Sequence, residues 1–294
     1  MTYHLLQDVL DKHGYSKWHC EKVQQGVSTE VYRFQRNNQV HFLRILPQGK
    51  KPSLECSLHE QLQQHGIPVP KVVFYHDPQD TAEQGYMMVK HIGGTALTGT
   101  SVESPKDEEK LVLREAGLFL AQLQEIPVEG YGPILTERDV IFAGSPTSPA
   151  EEQTQLRMEE LLSGSFISIE EYEALQQCLI EADSLGPAPH VLAHGDLRLD
   201  HIFCDQGYCT GFIDFGGMRV AGELYDLAFF KVHYPLHVPF LLEGYAQRKP
   251  LPHHWSIRIM SEATSILVQK LYKYRHASTF PNFRHRLNLF LRTT

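Results

Sequence analysis

The sequence predicts an α+β protein of two lobes: a sheet-rich first lobe with one main helix over residues 1–94, and a mostly helical second lobe with one β-hairpin over residues 95–294. Three observations carry this. A chain of 294 residues, 42% of them apolar, exceeds one small core and has ample side chains to bury. Alternating segments punctuated by turn residues concentrate before Gly94. Apolar residues at helical spacing dominate after Lys110.

The elements follow in order. Tyr3 to His13 is a short amphipathic helical pattern that Gly14 ends. The stretch "CEKVQQGVSTEVYRFQRNNQVHFLRILP" reads as consecutive antiparallel strands, with a turn at Gly26, a strand around Val31, a hairpin tip at Arg36-Asn37-Asn38 and a strand from Val40 to Leu46. Ser53 is placed to cap a helix in which Leu54, Leu58 and Leu62 share one face. His65-Gly66 stops that helix, "IPVP" forces extended chain, and "KVVFYH" and "YMMVKHI" add two strands before Gly93-Gly94. In the second lobe "EEKLVLREAGLFLAQLQEI", "QLRMEELL" and "IEEYEALQQCLIEAD" are helical. "HIFC", a turn at Asp205-Gln206-Gly207 and "YCTGFID" make the hairpin, entered by the polar loop "HGDLRLD". In "SIRIMSEATSILVQKLYKYR", Ile259, Ile266, Leu267 and Leu271 fall near helical spacing, with Lys and Arg as the wet side.

Composition narrows the function classes. No apolar run approaches the roughly 20 residues of a membrane helix, and the start lacks a basic segment followed by an apolar one. The expectation is a cytoplasmic chain with no membrane partner. Five scattered cysteines argue for reduced thiols rather than a disulfide framework. His194, His201, Cys204 and Cys209 do not have the spacing of common structural zinc sites, and strand alternation separates Cys204 from His201. The net charge of -8 is uneven: Glu137 to His190 holds eleven acids against two arginines, and Arg248 to Thr294 holds nine Lys/Arg against one acid, Glu262. A basic end can mark a nucleic-acid binder. Here the wet side of an amphipathic helix accounts for it, so no nucleic-acid partner is expected.

The chemistry concentrates in "LAHGDLRLDHIFCDQGYCTGFIDFGG", residues 192–217, which packs Asp196, Asp200, Asp214, His194 and His201 around the hairpin. Asp196 and Asp214 are far apart in sequence, yet the hairpin folds the loop before its first strand beside the end of its second. Two carboxylates held close repel unless a cation lies between them. A hard divalent ion such as magnesium, held by one or two carboxylates together with substrate phosphates, relieves this. The stretch therefore predicts a metal and phosphate site.

The string His194-Gly195-Asp196-Leu197, the spacing from Asp196 to His201, Ile213-Asp214-Phe215 and Tyr225-Asp226-Leu227-Ala228 closely resemble the signature of the aminoglycoside phosphotransferase and choline kinase-like family. That resemblance covers most of the chain and implies a protein-kinase-like fold and a small-molecule kinase using ATP or GTP. It implies that Asp196 is the catalytic base and that Asp214 and His201 are metal ligands. Asp226 and His194 would steady the catalytic loop. It further implies that Arg44 and Glu55 form the phosphate clamp, that Gly26, Ser28 and Thr29 belong to a phosphate-covering turn, and that the backbone around Lys90 and Ile92 receives the purine. His201 departs from the family pattern, which more often has Asn there; a nitrogen ligand suits manganese or zinc better than magnesium, so Mn2+ stands beside Mg2+. The resemblance also puts the acceptor pocket at the acidic segment from Glu137 to Asp183, which would favour a cationic acceptor such as an aminoglycoside or amino-alcohol. His201 and the Gly-poor phosphate turn leave a second reading open, a nucleotide-binding pseudokinase acting as sensor or scaffold.

Overall fold

The computed structural model describes residues 3–23, 29–100, 102–134, 141–145 and 150–292. The chain forms two compact units, Met1–Gly93 and Gly94–Thr294.

The first unit begins with α1 (Tyr3–His13), after which Gly14 takes the left-handed conformation, φ 77°, that reverses the chain. Five antiparallel strands follow: β1 (His19–Val23), β2 (Glu30–Arg36), β3 (Gln39–Gln48), β4 (Val72–His76) and β5 (Gln84–Lys90), in the order β1-β2-β3-β5-β4. Arg36 pairs with Gln39, so Asn37 and Asn38 form the tip, and Asn37 adopts φ 53°, a conformation Asn tolerates. Strand alternation supplies both faces with apolar residues. Phe34, Leu43, Ile45 and Met88 pack with Val9, Leu10 and Tyr15, while Leu46, Met87 and Val89 pack with Cys56 of α2 (Pro52–Gln64). The α2 cap corrects the sequence expectation. Lys51 is the N-cap and Pro52 opens the helix, because its missing N–H and fixed φ suit the first turn. Ser53 instead donates its backbone N–H to Asp77 Oδ1 at 3.0 Å. Leu54 is only half-buried, and the inward face is Glu55, Leu58, His59 and Leu62.

The second unit is mostly helical: α3 (Asp107–Leu123), α4 (Ala150–Ser163), α5 (Ile169–Asp183), α6 (Tyr225–His233), α7 (Val238–Arg248), α8 (Trp255–Tyr274) and α9 (Phe280–Leu291). Helices α3 and α7 cross where both have glycine: a Cβ on Gly117 would stand 2.1 Å from the Leu241 carbonyl oxygen, and one on Gly244 would stand 1.8 Å from that of Arg114. Helix α8 packs against α4, α5 and α6 through Ile259, Ile266, Leu267 and Leu271, all buried. The hairpin is β11 (Ile202–Asp205) and β12 (Tyr208–Phe212), turning at Gln206 and Gly207, both at positive φ. Beside it runs the two-residue β6 (Thr95–Ala96). A second sheet, absent from the sequence expectation, has the order β10-β13-β8-β9-β7: β7 (Val128–Glu129), β8 (Tyr131–Ile134), β9 (Ile141–Ser145), β10 (His190–Ala193) and β13 (Arg219–Gly222). Its strands are two to five residues long, too short for periodicity to register. Among the described residues no helix is long and apolar enough to cross a membrane.

Candidate active site

The loop after β10 is shaped by one required glycine. Gly195 sits at φ 81°, and a Cβ there would lie 1.9 Å from the Gly217 carbonyl oxygen, so the segments bearing Asp196 and Asp214 can close on each other only with glycine at this position. Leu197, Leu199 and Ile202 are buried and anchor the loop between its polar residues. Asp214 follows β12 at φ 64°, ψ 61°, a left-handed conformation uncommon outside glycine. Such strain is typical of positions where side-chain direction matters more than backbone comfort.

These segments are tied by buried polar groups. Asp226, 3% exposed at the start of α6, accepts the backbone N–H of His194 at 2.8 Å and of Gly195 at 2.9 Å. Burial pushes its carboxyl up to about 6 against those two hydrogen bonds. His194 is held neutral, its pKa driven down to about 4 by burial and then by the neighbouring His201. Its Nε2–H donates to the Ile213 carbonyl at 3.0 Å, and its Nδ1 accepts the backbone N–H of Asp196 at 3.4 Å. One imidazole thereby joins the residue before Asp214 to the backbone of Asp196.

Asp196, His201 and Asp214 come together, each offering a ligand atom within 4.8 Å of the others. His201 Nδ1 lies 2.8 Å from the Asp196 carbonyl oxygen, which can only accept, so the proton sits on Nδ1. The Nε2 lone pair then faces Asp214 Oδ2 at 3.6 Å. The Asp214 side chain is 45% exposed and that of His201 9%, a rim carboxylate beside an inner imidazole. Oxygen and nitrogen donors in this arrangement fit a divalent cation. Among the described residues neither Cys204 nor Cys209 joins such a group; the two thiols are partners in the hairpin register.

In the first unit Arg44 of β3 pairs with Glu55 of α2, with side chains only 15% and 10% exposed. This is not a loose surface pair, and an inward ion pair is retained only when well bonded. His59 Nε2 approaches Glu55 Oε1 at 3.8 Å while its Nδ1 bonds the Pro70 carbonyl at 2.9 Å. Thr29 is half-buried at the entry to β2. Gly26 and Ser28 lie outside the described residues. Lys90 spends its backbone N–H on the Lys71 carbonyl and His91 on that of Val40. The backbone groups of Ile92 make no hydrogen bond among the described residues.

The surroundings of Asp196 were not foreseen. Burial lifts its carboxyl above the usual range, opposed by His201, Lys270 and Arg198, with Asp214 adding to the lift. Lys270 was expected on the wet side of its helix; it is half-buried, with Nζ 5.5 Å from the Phe229 ring centroid. Arg198 is bidentate on Asp200. Three carboxylates of the acidic segment have other partners: Glu171 takes both guanidinium nitrogens of Arg284 at 2.8 Å, Glu160 accepts from Tyr272 at 2.7 Å, and Glu181 accepts from Gln177 at 2.9 Å. The one sequence signal for the cationic side was Arg198 inside "HGDLRLD"; Lys270 is brought in by the packing of α8 on α6.

The aminoglycoside 3'-phosphotransferase of Streptomyces fradiae is 29% identical over 232 residues, 74% of this chain and 80% of that protein. Human acyl-CoA dehydrogenase family member 11 is 24% identical over 244 residues, 77% of this chain; the chain spans only 30% of that relative's length. The GDP complex of aminoglycoside 2'-phosphotransferase-IIIa superposes with a TM-score of 0.74 at 15% identity, covering 99% of this chain and 98% of that one, so the two share the protein-kinase-like fold. Residues 19–253 match the model of the phosphotransferase enzyme family, and the chain belongs to that family.

Proposed function

We propose that the protein transfers the γ-phosphate of ATP or GTP to a hydroxyl of a small molecule in the cytoplasm. The observation that carries this reading is the convergence of Asp196, His201 and Asp214 to within 4.8 Å on a loop pinned by Asp226 and His194. In the transfer, the acceptor oxygen forms a bond to the γ-phosphorus as the bond from that phosphorus to the β,γ-bridging oxygen breaks. The nucleoside diphosphate leaves with the electron pair, and the hydroxyl proton passes to the Asp196 carboxylate. The raised pKa of Asp196 suits a group that must take up a proton.

Asp214 and His201 Nε2 would hold the divalent ion, Mg2+ or, given the imidazole, Mn2+. When bound, such an ion neutralises charge on the phosphate oxygens. Arg44, steadied by Glu55, offers a guanidinium fork for phosphate oxygens. The turn with Gly26, Ser28 and Thr29 would cover the phosphates. The backbone of Ile92, more than that of Lys90, would receive the purine. In this reading residues 1–94 are the nucleotide-binding lobe and residues 95–294 the catalytic and acceptor-binding lobe.

The test pairs two readouts, nucleotide-dependent thermal shift with Mg2+ and with Mn2+, and phosphate transfer to a panel of small alcohols. Asp196→Asn is expected to cut transfer by about 10²–10⁴-fold while keeping the thermal shift. Nucleotide binding without transfer to any acceptor, indifferent to Asp196→Asn, would establish the pseudokinase instead.

A further inference from the structure

We propose that the second unit carries a further binding site, a pocket walled by α5, α7 and α8 that takes a medium-chain fatty acid, with Lys231 of α6 receiving the carboxylate. This site does not depend on the phosphotransfer reading: none of Asp196, His201, Asp214 and Lys270 lines it. Along α8, the pocket-lining Met260 precedes Lys270 by about 15 Å of helix.

The pocket has a volume of about 960 Å³, within the range of small-molecule sites, and its walls are mainly apolar. Helix α5 contributes Cys178, α7 contributes Leu242, and the first turns of α8 contribute Trp255, Ile257 and Met260. The rest of the chain does not seal these side chains: Trp255 is 38% exposed, and the other four are half-buried. Apolar walls around a space of this size lack partner atoms on one side and meet water instead. An apolar ligand entering the space supplies the contacts and removes the water.

Charge selects the head group. Lys231, in the last turn of α6, is the sole cation among the lining residues; it is half-buried and forms no ion pair among the described residues. The end of a helix favours positive charge, which accounts for a lysine there but not for drawing it partly out of water without a counter-ion. Burial lowers its pKa, and no neighbouring charge acts against that shift. Two carboxylates also line the pocket, both on exposed residues and both with partners: Glu243 pairs with Arg114 at 2.6 Å, and Glu181 accepts from Gln177 at 2.9 Å. A cationic or neutral amphiphile would leave Lys231 uncompensated. An alkyl chain ending in one carboxylate fills the apolar space and neutralises that cation together.

The experiment titrates the full chain, without nucleotide, with octanoate, 1-octanol and octylamine by calorimetry. Octanoate is expected to bind about tenfold more tightly than 1-octanol, and octylamine more weakly than either. Lys231→Met should remove that roughly tenfold advantage while leaving 1-octanol unchanged, and Lys231→Arg should keep it. Ala246→Trp, at an exposed position on the pocket wall, should exclude both ligands. Saturating octanoate should slow maleimide labelling of Cys178, mapped by mass spectrometry, and leave Cys20 and Cys204 unaffected. Thermal unfolding without ligand identifies the variants that remain folded. Asp196→Asn should bind octanoate as the wild type does, so the result stands whether or not the chain transfers phosphate. Octanoate that fails to bind, binds no better than 1-octanol, binds equally to folded Lys231→Met, or leaves Cys178 labelling unchanged overturns the site. Preference for octylamine overturns it in favour of Glu181 and Glu243 as the anchoring charges.

Discussion

His233 shows how one buried side chain links stability to pH. Its Nδ1–H bonds the Phe229 carbonyl at 2.9 Å, and burial, then the charge of Arg286, depress its pKa from 6.5 to about 3. The folded protein therefore binds fewer protons here than the unfolded chain. The contribution is fully present above about pH 6.5 and is lost as pH falls toward 3, at about 1.4 kcal/mol per pH unit for one such group. Urea unfolding of the wild type and of His233→Gln at pH 7, 6 and 5 should show the wild type losing stability faster on acidification. Parallel losses would remove His233 as the cause. The same scale shows what could be read in advance at the site. Asp196 and Asp214 announce themselves because carboxylates are rarely spent between apolar residues without a purpose. The tautomer of His201 was not legible, since the Asp196 carbonyl oxygen sets it.

At the scale of elements, the α3/α7 crossing is the most tightly constrained contact between helices. Gly117 and Gly244 let the two backbones approach as closely as they do, and Arg114 adds an ion pair to Glu243 at 2.6 Å with its guanidinium 5.3 Å from the Phe240 ring centroid. Gly117→Ala and Gly244→Ala each push a methyl into a carbonyl that cannot rotate away. Each is expected to destabilise by about 1–3 kcal/mol, lowering Tm by several degrees in thermal unfolding. An unchanged Tm would mean that the helices slide apart freely. Neither glycine was legible as a contact in the sequence, where both interrupt helical patterns without stating why. Long elements were legible: the pattern "IEEYEALQQCLIEAD" coincides with Ile169–Asp183. The strands of the second unit's larger sheet were not, because pairing between distant segments creates them rather than local preference.

Across the whole molecule the charge pattern takes on a different meaning once the chain is folded. The basic end supplies Arg284 to Glu171, Arg258 to the Leu185 and Gly186 carbonyls, and Arg275 to the Tyr272 ring and carbonyl. Lys270 acts on Asp196 and Arg286 on His233 rather than as parts of a shared basic stripe. With these cations dispersed and a net charge of -8, the protein should pass unretained over immobilised DNA or RNA at about 0.15 M salt. Retention that weakens steeply with added salt would restore a nucleic-acid role.

By itself, the sequence determined the family signature, the two-part α+β organisation and the identities of Asp196, His201 and Asp214, because these depend on residue type, spacing and local periodicity. Tertiary structure alone decided that His194 joins two loops, that Arg44 and Glu55 are sheltered, and which cations stand beside Asp196. Those facts arise from the directions in which side chains on separate elements meet, and packing of the assembled chain sets those directions.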